Sequence, residues 1–439
     1  MSALTLALFL FTIMLVMMAI RIPIAAAMFL AGAIGYAMQA GFMPMQAYLK
    51  SFAFGRFSSY DLSVIPLFLI MGQFAMEGGL SKALFRFANA VMGRFKGGMA
   101  MAAVLACAAF GAVCGSSVAT AATIGSVALP EMKRHGYSGR LSTATLAASG
   151  TLGILIPPSV VLVIYAILTE QNIAKLFAAA FIPGIIAAIG YMVAIAIYVR
   201  VVPGHAPEVD ASSRDNIGDS VKGVMPIAII FLIVFGGIYG GIFTPTEGAA
   251  IGAFATFVTA LLGGEMTIAK FKNCFYSTAE STAMIFMIFL GADMLNSALA
   301  LTQAPNQLAQ YVGGLGLPPL AVISCILVFY VILGCVMDEL SMILLTIPIF
   351  FPLVMGLDLG LPPDEKAIWF GILVLMVVEI GLIAPPVGLN VYVVNGMAKD
   401  VPISESYRGV VPFLISDAIR TTLLLFFPVI SLWLVRLMK

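Results

Sequence analysis

Long apolar runs separated by short polar or Gly/Pro-rich connections dominate the chain. They predict ten membrane-crossing helices near 2–20, 23–40, 61–78, 140–170, 177–200, 223–242, 246–263, 275–300, 366–397 and 411–437. Two segments depart from this pattern. Residues 98–135 and 318–356 each hold two apolar stretches of about 15 residues around a small or polar centre, short for a full crossing. They are expected to form re-entrant helical hairpins. From Lys82 to Lys96, apolar Leu84, Phe85, Phe87 and Val91 alternate with Arg86 and Arg94, as in an amphipathic helix lying along the cytoplasmic interface.

One phrase occurs twice inside these runs. Gly153-Ile-Leu-Ile precedes Pro157-Pro158, and Gly381-Leu-Ile-Ala precedes Pro385-Pro386. A proline pair removes two N–H donors and clashes with the preceding turn, so each helix must break there. Breaks at membrane depth survive only where the freed backbone is covered by protein or lines a cavity. The matches extend along the chain: Pro23 with Pro245, Gly72 with Gly291, and Gly111 with Gly334, at offsets between 219 and 228 residues. This order predicts a duplication. The first repeat spans 1–200, with its hairpin at 98–135 and its broken helix at 140–170. A polar linker follows at 201–222. The second repeat spans 223–439, with its hairpin at 318–356 and its broken helix at 366–397.

Five crossings per repeat is an odd number, so the second repeat is expected upside down relative to the first. With the N-terminus outside, fifteen Lys and Arg residues fall on the cytoplasmic side and six on the other. Both termini are therefore expected outside the cytoplasm. The first hairpin then enters from the cytoplasm and the second from the opposite face.

Composition agrees with the pattern and excludes several functions. The chain of 439 residues is 62% hydrophobic and 10% charged, with mean hydropathy +1.09, the balance of an all-α polytopic protein embedded in a lipid bilayer. The first run has no charged segment before it and reads as a retained span rather than a cleaved signal. A net charge of +1 argues against nucleic acid as a partner. His135 and His205 fall in polar connections and the five cysteines lie in apolar runs without CxxC spacing, which speaks against zinc, haem or nucleophilic chemistry. There is no GxxxxGK[ST] phosphate loop, so the chain does not hydrolyse ATP. The expected role is transport rather than enzymatic turnover, with energy from an ion gradient or a partner protein.

Candidate binding groups cluster at the hairpin tips and the breaks. Gly115, Ser116, Ser117 and Thr120 form the first tip, where hydroxyls and freed carbonyls can ligate a hard cation and the following helix start can hold an anion. Packing of small residues against a neighbouring helix is the alternative there. The second tip runs from Gly334 through Val336 to Asp338 and Glu339. Asp338 can bind a cation or cap the next helix. The breaks add Ser149, Thr151 and Ser159 beside Pro157 and Pro158, and Glu379, Gly388 and Asn390 beside Gly381 and Ala384. Glu379 reads first as a structural carboxylate, with an ion or proton site as the alternatives. Asp293 and Asn296 lie one turn apart on one helix face. Glu247 reads as a stabilising first-turn acid.

Together, Gly115-Ser-Ser-Val-Ala-Thr120, Pro130-Glu-Met132 with Gly136-Tyr137, Gly153 to Ser159, Thr244-Pro-Thr-Glu-Gly-Ala249 and Pro385-Pro-Val-Gly-Leu-Asn390 resemble the large membrane subunit of tripartite ATP-independent periplasmic (TRAP) transporters. The resemblance covers essentially the whole chain. It implies a sodium-driven importer of small organic acids in the bacterial inner membrane, working by an elevator movement with a small four-helix membrane subunit and a periplasmic substrate-binding protein. Sodium ligands are then expected from Gly115, Ser116 and Ser117, from the Gly334–Asp338 turn and from the Gly381–Gly388 break; Asp293 and Asn296, from their shared helix face, are expected to join them. The organic anion is expected near Ser116, Ser117, Thr120, Ser149, Thr151, Pro157, Pro158, Ser159 and Asn390. Two departures stand out. Many members have Thr where this chain has Ala384, and small residues are common where it has Glu339. A stand-alone sodium- or proton-coupled dicarboxylate carrier shares the architecture and is the main alternative.

Overall fold

The computed structural model describes residues 3–207 and 217–438, which form helices and short connections with no strand among them. The first half runs α1 (Ala3–Ala19), α2 (Ile24–Ala40), α3 (Phe42–Phe57), α4 (Val64–Glu77), α5 (Leu80–Met92), α6 (Gly98–Cys114), α7 (Ser117–Arg134), α8 (Gly139–Leu155), α9 (Val160–Thr169) and α10 (Ile173–Val201). The second runs α11 (Ile217–Tyr239), α12 (Pro245–Leu262), α13 (Ile268–Thr302), α14 (Ala304–Gly314), α15 (Pro319–Gly334), α16 (Glu339–Met355), α17 (Pro363–Ile383), α18 (Leu389–Met397), α19 (Ile403–Phe426) and α20 (Val429–Leu437). Six of these helices are long and apolar enough to cross a membrane singly. The bent pairs α3–α4 and α8–α9 pass that test together.

Both expected hairpins are present, as α6–α7 and α15–α16, and both broken helices, as α8–α9 and α17–α18. The peptide bonds Pro157-Pro158 and Pro385-Pro386 are cis. The amphipathic segment is α5, which buries Leu84, Phe85 and Ala88 while Arg86 faces out. It packs against α6 and α11. Thr244 and Glu247 form a reciprocal capping box at the start of α12, the stabilising role expected of that acid.

Several segments differ from the expected boundaries, among them α14, a helix between the span near 275–300 and the second hairpin that was not expected. Residues 41–60 were left between spans, yet 42–57 form α3, bent by 54° from the helix that follows. Lys50 and Arg56 interrupt the apolar run there without interrupting the helix, because Lys50 is exposed and Arg56 is paired with Asp293 of α13. Its counterpart in the second half, α13, is one continuous helix of 35 residues. The last span divides at Pro428, which supplies no N–H to continue α19. The linker is shorter than expected, since α11 already begins at Ile217; its residues 208–216 lie outside the described residues.

Packing between the halves is reciprocal. Helix α2 lies against α13 and α12 against α4; α1 touches α14 and α11 touches α5. Within each half the first hairpin arm lies along the broken helix, α6 on α8 and α15 on α17. The breaks then cross over, with α18 on α7 and α8, and α16 on α9. This crossing gathers both tips and both breaks into one place.

Candidate functional site

Glycine makes the hairpin–break contact possible in both halves. A Cβ on Gly153 would stand 2.5 Å from Thr120 Oγ1 and 2.6 Å from the Ser116 carbonyl oxygen. A Cβ on Gly381 would stand 2.6 Å from the carbonyl carbon of Gly334. The backbones therefore touch directly, which any larger residue prevents. At the first tip, Gly115 takes a left-handed turn (φ 66°) facing the Pro158 carbonyl. Ser116 then caps α7 by accepting from the Ala119 N–H. Ser159 caps α9 in the same way through Leu162.

Asn390 joins the halves. Its Nδ2 donates to Ser117 Oγ at 2.6 Å and to the Ala147 carbonyl at 3.1 Å, while its Oδ1 is buried without a partner. Thr120 Oγ1 and Ser149 Oγ are also buried and unpartnered. Oxygen atoms left this way are costly unless something binds them. Asp338 acts as a cap, accepting from the Ser341 N–H at 3.0 Å. Val336 lies in the tip turn with its side chain exposed. Ala384 ends α17, and Gly388 (φ 59°) turns the chain into α18.

A cavity of about 490 Å³ lies between the two tips. The first turns of four helices line it: Ser116 and Val118 of α7, Val160 and Val161 of α9, Glu339 to Ser341 of α16, and Leu389 of α18. Apart from Asp338 and Ser281, its remaining wall is apolar and comes mainly from α2, α4 and α13. Each helix start presents N–H groups without helical partners and the positive end of the helix dipole. Four of them face one small cavity, an arrangement that can hold an anion, and the volume suits a small molecule.

Behind the second break lies a charge network that the sequence reading missed. Arg420 of α19 donates from Nη2 to Glu379 Oε2 at 2.7 Å and lies 3.0 Å from Asp417 Oδ1. Tyr191 of α10 donates to Asp417 Oδ2 at 2.9 Å, and Thr151 of α8 stands 3.3 Å from that phenol. All of these side chains are buried. Thr151 is thus committed to the interior rather than to the cavity, and Glu379 is held as a structural carboxylate, by a guanidinium rather than by the nearby hydroxyls expected. Arg420 was detectable: it is a basic residue inside the last apolar run, and it falls in neither side of the charge count.

Asp293 and Asn296 are not brought to the tips. Arg56 of α3 donates to both Asp293 carboxylate oxygens, through Nε and, at 2.7 Å, through Nη2. With Asn296 and Tyr48 they line a separate groove between α3 and α13. A paired aspartate is a poor candidate for a coupling ion, so the expected ligand role of these two residues is corrected here. Their helix face was read correctly, but the missed helix α3 supplies the partner.

Residues 11–430 match the family model described as "Tripartite ATP-independent periplasmic transporter, DctM component". The C4-dicarboxylate TRAP transporter large permease protein DctM of Pseudomonas aeruginosa is 37% identical over 375 residues, covering 85% of this chain and 86% of that protein. The isethionate TRAP transporter permease protein DctMQ of Oleidesulfovibrio alaskensis is 33% identical, over 90% of this chain and 61% of its own length. The sialic acid TRAP transporter large permease protein SiaM of Vibrio cholerae is 29% identical over 87% of each. Among solved structures, the Alcanivorax borkumensis YdaH transporter shares the fold, with a TM-score of 0.66 at 15% identity over 96% of this chain and 98% of that one. The chain, a polytopic membrane protein with no enzymatic role, belongs to the large-permease family of TRAP transporters.

Proposed function

We propose that this chain imports a small organic anion, a carboxylate or sulfonate, across the bacterial inner membrane, driven by sodium. The observation that carries this reading is the cavity between the tips, where four helix starts converge. The relatives' names (C4-dicarboxylate, isethionate, sialic acid) differ in size and share only an anionic group. Thr120 Oγ1, Ser149 Oγ and Asn390 Oδ1 are buried without partners, and with the carbonyls freed at the break they are candidate oxygen ligands for a hard cation.

Coupling follows from charge. Bound sodium offsets the substrate's negative charge, so the empty and fully loaded forms cross the membrane interior while a partly loaded form is penalised. The moving part comprises the two hairpins and two broken helices, and the rest forms the scaffold. The inverted arrangement, with the first and last helices opening outside the cytoplasm, is supported by the charge count and by the reciprocal packing of the halves. A periplasmic binding protein delivers the anion, and a small four-helix subunit completes the membrane part.

Reconstitution in vesicles with both partners tests this reading, using the ligand that the binding protein captures. Uptake is expected only with an inward sodium gradient. Undiminished uptake without that gradient would remove sodium from the account. Uptake by this chain alone, without the binding protein, would favour the stand-alone carrier.

A further inference from the structure

We infer that the substrate is a zwitterion: it carries a cationic nitrogen beside its acid group, and Glu339 receives that nitrogen. The inference rests on the reading of the cavity between the tips as the substrate site. Glu339 is the first residue of α16 and lines the cavity, only 8% exposed. Its Oε2 is buried and has no partner in the protein. Ser341 Oγ, two residues on and on the same wall, is also buried without a partner. Two buried oxygens without partners, on residues that line one cavity, favour a ligand that can donate hydrogen bonds there.

The charge of the wall points to the same chemistry. Among the described lining residues there is no Lys, Arg or His, whereas Asp338 and Glu339 are both present. Asp338 is engaged by the Ser341 N–H, whereas Glu339 Oε2 has no partner in the protein. A purely anionic substrate in this cavity meets a carboxylate with no cationic side chain to offset it. An ammonium there gains a desolvated ion pair instead. The cavity is therefore polarised. Its α7 and α9 ends, headed by Ser116 and Ser159 with no acid in the first turn, suit the carboxylate or sulfonate. Its α16 end, headed by two acids, suits the cation.

Matched ligands that differ only in the cationic nitrogen provide the test: aspartate against succinate, and β-alanine against butyrate. Binding is measured in sodium to the purified complex of this chain with its small membrane subunit. For wild type, at least one nitrogen-bearing acid is expected to bind about tenfold or more tightly than its match. Glu339→Gln should abolish that ratio, and Glu339→Asp should keep part of it. Equal or reversed ratios in wild type, or binding of none of the four acids, would overturn the inference. So would a Glu339→Gln protein that keeps the ratio, or one that loses only its sodium dependence, since the carboxylate would then serve the ion. Ser281→Trp, which fills the cavity from α13, separates this failure from that of the site. If it leaves all binding intact, the cavity is not the substrate site; if it blocks binding while Glu339→Gln keeps the ratio, only the zwitterion inference fails.

Discussion

Replacing Arg420 by methionine should destabilise the protein by about 3–5 kcal/mol, because it leaves two buried carboxylates without their cation. Glu379 and Asp417 both depend on that guanidinium, and neither can reach water. The loss also reaches the first half of the chain. Tyr191 is held by Asp417 and contacts Thr151, in the turns of α8 that lead to the Pro157 break, so α8, α10, α17 and α19 share one polar knot. The remedy is specific. Removing all three charges together (Arg420→Met, Glu379→Gln, Asp417→Asn) should recover much of the loss, since no unpaired ion then remains. Thermal unfolding of the purified variants measures both effects. A single Arg420→Met change costing less than about 1 kcal/mol, the size of a surface pair, would show that the network is wetter than the structure implies.

The second large effect is expected at the hairpin–break contact. Gly153→Ala should cost about 1–3 kcal/mol as overpacking, because the new methyl meets the Ser116 carbonyl and Thr120 within the tip itself. Gly381→Ala should behave alike, since it meets the backbone of Gly334. Both changes push a tip away from its break, so uptake should fall to background even in variants that still fold. Gly55→Ala in α3 is the contrast. A Cβ there meets nothing within 4 Å, and alanine should stabilise that helix by about 0.5–1 kcal/mol without touching transport. Gly153→Ala and Gly55→Ala variants that unfold and transport alike would contradict the close contact.

What was legible in the sequence follows from the solvent in which this chain folds. A membrane forces every crossing to be an apolar helix, so spans, hairpins and breaks can be read from run length and from Pro-Pro pairs. The same logic placed Ser116, Asp338 and Asn390 near one centre, because a repeated phrase marks equivalent places. Side-chain partnership was much less visible. Asp293 reads as a lone intramembrane acid until α3 brings Arg56 to it, and α3 was hidden by its own charges. Glu379 needed a partner that lies 41 residues further on, in α19. Periodicity says which face a residue occupies, not what stands opposite. For the same reason, Thr151 and Glu339 could be placed at the centre, but whether each faces the interior or the cavity required the fold.

The central claim is that the anion binds between the hairpin tips, against the helix starts. Locating a bound ligand in a structure of the large and small subunits together, prepared in sodium with the binding protein's own ligand, tests it most directly. The account predicts the acid group against the first turns of α7 and α9, beside Ser116 and Val160. Ligand density in the groove lined by Arg56 and Asn296, with the cavity between the tips empty, would contradict it.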